Sequence, residues 1–76
     1  MKVIAALWFE SPGAYAENKK YHSICEVRQE FYEMIRQYNR LGGAKPVGAI
    51  YRADNTDYPI YTLEVSDRGS VKQVRA

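Results

Sequence analysis

One stretch limits the fold of this chain more than any other. Residues 23–43, S-I-C-E-V-R-Q-E-F-Y-E-M-I-R-Q-Y-N-R-L-G-G, carry a helix start signal, an apolar stripe and a stop signal in register. Ser23 followed by Glu26 is a capping box, in which the serine oxygen takes the free N–H of Glu26 and the glutamate reaches back. Gly42 and Gly43 follow Leu41, where a left-handed residue closes a helix. Between them Ile24, Val27, Phe31, Met34, Ile35, Tyr38 and Leu41 recur at the helical period. At about 100° per residue they fill an arc roughly 120° wide, the width of a face pressed on a core.

The polar side of this helix divides into two shoulders. Arg28, Tyr32, Arg36 and Asn39 lie along one, with Cys25 among them; Glu26, Glu30, Glu33 and Gln37 lie along the other. Arg28, Tyr32 and Arg36 stand four apart, so an arginine can stack on the tyrosine ring. An ordinary solvated surface with local pairs such as Glu33 with Arg36 has this spacing. So does a recognition edge for an acidic or planar partner.

The flanking segments read as strands. Val3 to Phe9 is apolar on both faces, with Val3, Leu7 and Phe9 on one and Ile4 and Trp8 on the other, as in a strand interior to its sheet. Ser11-Pro12-Gly13-Ala14 fits a type II turn. Ala14 to His22 is open between a second strand antiparallel to the first and a loop carrying Lys19 and Lys20. After the helix, Pro46 to Ala53 is a strand candidate, and Ala53 to Tyr58 a polar connection. In Pro59 to Ser66, Tyr61, Leu63 and Val65 lie on one face and Ile60, Thr62, Glu64 and Ser66 on the other. Ser66-Asp67-Arg68-Gly69 is a turn, and Val71 to Arg75 returns as an edge strand on which Lys72 and Arg75 discourage pairing with other chains. The expected fold is α+β: one domain over residues 1–76, with one amphipathic helix (about 23–41) packed on one face of a mainly antiparallel sheet of three to five strands.

Charge and cysteine usage narrow the class. Eleven basic and nine acidic residues nearly cancel and are spread along the chain, a poor footprint for a dedicated nucleic-acid binder. No apolar run reaches a membrane span. One cysteine forms no internal disulfide, which favours a reducing, cytoplasmic home. Residues 1–16 imitate a secretory signal, with Lys2, an apolar run and Ala14-Tyr15-Ala16. The run is short and ends at Glu10, and its loss would cost the domain its most apolar strand, so no signal peptide is expected.

Catalytic chemistry has little to build on. There is one histidine, no phosphate-binding glycine loop and no nucleophile elbow. His22 and Cys25 are three apart, but His22 precedes the helix cap, where its ring can pack on Val27 as a staple. Zinc lacks ligands, and Asp54, Asn55 and Asp57 lack the rest of a calcium loop, so a solvated loop with local Asx turns is expected. Neither an enzyme nor a cofactor or metal is expected. Tyrosine is the unusual residue: seven of 76, beside Trp8. Tyrosine, tryptophan and arginine dominate binding hot spots.

Two functions compete. In the first, a protein partner is bound through Arg28, Tyr32, Arg36 and Asn39 on the helix, or through Trp8 and Tyr51 on the sheet. In the second, sheet aromatics stack on nucleic-acid bases while Lys19, Lys20, Arg52, Lys72 and Arg75 neutralise phosphates. The near-neutral charge favours the first, and between its two surfaces the helix edge is slightly favoured. The leading strand, the S-I-C-E-V-R-Q-E-F-Y helix opening and the short closing meander resemble small phage-encoded accessory proteins, including anti-CRISPR and other host-takeover inhibitors. That resemblance implies a stoichiometric inhibitor acting in the host cytoplasm on a host defence complex or nucleic-acid machine. It assigns no residue.

Overall fold

Two sequence periods, near four in the middle and two on either side, become one helix and five strands. The computed structural model describes residues 2–14 and 16–76; Met1 and Tyr15, with the part of the signal-like Ala14-Tyr15-Ala16 that rests on the tyrosine, lie outside the described residues. The elements are β1 (Val3–Phe9), β2 (Lys19–Tyr21), α1 (Ile24–Leu41), β3 (Pro46–Arg52), β4 (Tyr61–Val65) and β5 (Val71–Arg75). The strands form one antiparallel sheet in the order β2-β1-β3-β4-β5. The segment left open between strand and loop resolves into both. Only Lys19–Tyr21 pairs with β1, and β1 thereby becomes internal.

The capping logic appears in atoms. Ser23 is extended and its Oγ accepts from the Glu26 N–H at 3.2 Å. Gly42, at φ 72°, donates to the Tyr38 carbonyl at 2.7 Å and ends the helix. His22 is exposed, and the side chain buried just ahead of the cap is Tyr21. The Ser11–Ala14 turn closes with the Ala14 N–H on the Ser11 carbonyl at 3.0 Å.

Register decides which side chains the helix covers. Val3 stands opposite Arg52, Ala5 opposite Ile50 and Leu7 opposite Gly48, while Leu63 stands opposite Gly48 and Tyr61 opposite Ile50. These residues share one face, because directly paired residues point the same way. With Tyr21, Val27, Phe31 and Ile35 they build the core: Val3, Ala5, Ile50 and Leu63 are at most 1% exposed, and the three helix residues are at 0%.

The buried helix residues are four apart, so the line of contact runs along one margin of the predicted stripe. Leu41 sits at the opposite margin, in the last turn, and is 68% exposed instead of buried. Met34, between the two margins, is half-buried.

Candidate functional site

Both shoulders of α1 are used as lateral clamps. On one side the Arg28 guanidinium donates to Gln73 Oε1 on β5 at 2.6 Å, and the Asn39 amide donates to the Gly69 carbonyl in the β4–β5 turn at 3.2 Å. Gly69 has φ 74°, and a Cβ there would stand 3.1 Å from Asn39 Nδ2, so the turn and its tether require glycine together. On the other side Lys19 on β2 lies 3.7 Å from the Glu30 carboxylate and 5.2 Å from the centre of the Tyr21 ring. The helix is thus held to strands at both edges of the sheet.

This changes the weight of the helix edge. Arg28 is half-buried and Asn39 is occupied, so two of its four expected contact residues hold the fold together. Arg36 pairs with Glu33 at 3.3 Å, the local pair expected from spacing, and Tyr32 is 47% exposed. What remains for a partner is one tyrosine and one surface arginine.

Tyr21 gives the β2 clamp a pH signature. Burial first, and then the neighbouring Glu30 carboxylate, push its phenol from 10.0 up to about 12. The folded state therefore holds this proton more tightly than the unfolded chain. The associated stability is complete below about pH 10 and is lost as pH rises through about 12. Tyr21→Phe is expected to remove most of this alkaline pH dependence, on the order of 2 kcal/mol. Urea titrations of both proteins across that window check it; a wild-type minus variant difference that does not change with pH would contradict it.

Among the described residues, no helix packs on the opposite face of the sheet. Ile4 stands against Tyr51, Ala6 against Ala49 and Trp8 against Val47 on the central pair β1–β3, and Thr62 stands against Val74 on β4–β5. Ala6 and Ala49, between those pairs, are 6% and 7% exposed. Ile4, Trp8, Val47 and Tyr51 are half-buried, and Val74 is 36% exposed. Trp8 and Tyr51 thus lie on one surface, at the two ends of a short apolar strip, on the face of the sheet away from the helix.

The cations proposed for nucleic acid do not gather beside that strip. Lys20 and Lys72 project on the open face, whereas Lys19, Arg52 and Arg75 project on the helix side. Lys72 lies 3.5 Å from Glu64, and Arg52 lies 3.1 Å from Asp54. The loop after β3 is an ordinary polar connection, with the Asp57 N–H bonded to Asn55 Oδ1 at 3.0 Å in an Asx turn. Among the described residues no three His, Cys, Asp or Glu side chains gather to hold a metal ion, and no helix is long and apolar enough to cross a membrane. Cys25 is exposed.

Sequence reasoning had found Ile4 and Trp8 on a common face. It missed Val47 and Val74 as their neighbours, because neither β3 nor β5 alternates apolar with polar residues and only the pairing between strands sets them on that face. No protein-family model, curated protein or solved structure matches this chain.

Proposed function

We propose that this protein is a non-enzymatic binding module that inhibits a protein partner by occlusion, and that the open face of the sheet is its contact surface. The observation that carries this reading is the strip of Ile4, Trp8, Val47 and Tyr51, with Val74 alongside, which no helix among the described residues covers. Large apolar side chains clustered on one surface are costly in water and mark interaction sites in small soluble domains. Tryptophan and tyrosine add large rigid area with a polar tip. The likeness in layout to phage accessory inhibitors supports a host defence or nucleic-acid-processing complex as the class of partner. The scatter of cations over two faces weighs against direct nucleic-acid binding, which needs them along one groove.

The test is Val47→Lys/Tyr51→Lys, which adds two charges to the strip at positions that do not enter the helix-side core. Capture of the partner is expected to fall at least tenfold, about 1.4 kcal/mol or more, with the circular dichroism spectrum unchanged. Arg36→Glu on the helix is expected to leave capture intact. The reverse pattern would move the site to the helix edge.

A further inference from the structure

The outer edge of β5 carries an inference separate from the open face. The Ser66 N–H bonds the Ser70 carbonyl at 2.8 Å, and the Ala76 N–H bonds the Ile60 carbonyl at 3.1 Å. In an antiparallel ladder hydrogen-bonded pairs recur at every second residue. Lys72 and Val74 therefore turn their backbone groups toward β4, and Val71, Gln73 and Arg75 turn theirs outward. β5 is the last strand of the sheet, and among the described residues nothing pairs with that edge. It is longer than the opposite edge, where β2 has three residues.

We infer that β5 pairs with β5 of a second copy of this chain, antiparallel about a two-fold axis at Gln73. The backbone selects the centre. With Gln73 opposite the partner's Gln73, Val71 meets the partner's Arg75, and all three outward residues of each strand find outward residues of the other. Centres at Lys72 or Val74 would leave one outward residue of each strand without a partner in the other strand, and centres at Val71 or Arg75 would leave two. Charge agrees with this register. Lys72 falls opposite the partner's Val74 and Arg75 opposite the partner's Val71, so no two like charges of the paired strands face each other.

Lys72 and Arg75 were expected to protect this edge, but Lys72 lies on the open face at 3.5 Å from Glu64, which offsets its charge. Two exposed large apolar residues, Tyr32 at 47% and Val74 at 36%, flank the same edge. Tyr32 sits beside Ser70 and Val71 on the helix side, and Val74 lies on the other side. An added strand covers both. The paired sheets would run on continuously and present two open faces side by side.

Sedimentation equilibrium over a range of protein concentrations tests this, and the expected species has twice the 8.8 kDa chain mass. Arg75→Pro removes an outward N–H and leaves the β4–β5 ladder whole, since edge positions tolerate proline. It is expected to raise the dimer dissociation constant at least tenfold. Cys25→Ser/Gln73→Cys tests the register. A hydrogen-bonded antiparallel pair brings its Cα atoms to about 5.5 Å, within disulfide reach, so oxidation should give a covalent dimer. Cys25→Ser/Ser70→Cys should not cross-link. A single-chain species at every concentration overturns the inference, as does a dimer that Arg75→Pro leaves unweakened or the absence of a link at position 73. Should Arg75→Pro fail to fold, the cross-link decides.

Discussion

Phe31→Ala is expected to remove a large share of the chain's stability. Phe31 is the middle of the buried Val27–Phe31–Ile35 line and is fully enclosed with Val3, Ala5, Ile50 and Leu63. Truncating a buried phenylalanine costs about 3–5 kcal/mol, from lost transfer energy and from the cavity left behind. A chain of this size has only about 4–11 kcal/mol in total. Collapse around the cavity offers little relief, because the helix is pinned on both flanks by Arg28–Gln73, Asn39–Gly69 and Lys19–Glu30. Each kcal/mol lowers the melting temperature of so small a domain by about 4–8 °C. Thermal melting followed by circular dichroism should therefore show a drop of about 15 °C or more. A drop under about 5 °C would mean that the helix is not seated on the sheet through this residue.

Gly48→Val is expected to be nearly as damaging, for the opposite reason. Gly48 is a strand glycine on the helix side, between Leu7 on β1 and Leu63 on β4. A Cβ there would stand 2.6 Å from Leu7 Cδ2 and 3.3 Å from Leu63 Cβ. The Leu7 methyl is the end of a flexible, half-buried side chain and can swing aside for one added carbon. Valine adds two more on a stiff branch, directed into a packed layer, at a cost of about 2–3 kcal/mol. The higher strand propensity of valine recovers a small part of that at best. A double-mutant cycle checks the cause: Gly48→Ala should cost less in a Leu7→Ala background than in the wild type. Equal costs in both backgrounds would show that the steric contact is not responsible.

How legible each part was follows from where its signal lay. The helix could be read from local period and capping chemistry, β1 from its unbroken apolar run, and β5 from the glycine turn that precedes it. β2 could not. Lys19-Lys20-Tyr21 carries a single apolar residue, and it becomes a strand because Tyr21 fills the space beside Val3. Leu41 matched the period yet stays exposed, because the stripe fixes an arc and only the packing fixes which margin of it touches the sheet. The Arg28 shoulder looked available for a partner because Gln73 lies 45 residues away, and spacing along one helix cannot reveal that bond. Gly48 was a missed opportunity, since glycine inside a strand often marks a close approach of neighbours. The open face needed register: alternation placed Ile4 with Trp8, and only the β1–β3 pairing set Tyr51 beside Ile4 and Val47 beside Trp8.

The open face is also where the account is most exposed to refutation. The direct measurement is affinity capture from lysate with nuclease present, at low and at moderate salt. It compares the wild type with Val47→Lys/Tyr51→Lys and with Arg36→Glu. The account predicts one protein partner, recovered at both salt concentrations by the wild type and by Arg36→Glu and lost from the open-face variant. Trp8, the chain's one tryptophan, would report the same event by a blue shift of its emission on binding. Recovery of a salt-labile, nuclease-sensitive nucleic acid in place of a protein, or a partner retained by the open-face variant, would contradict it.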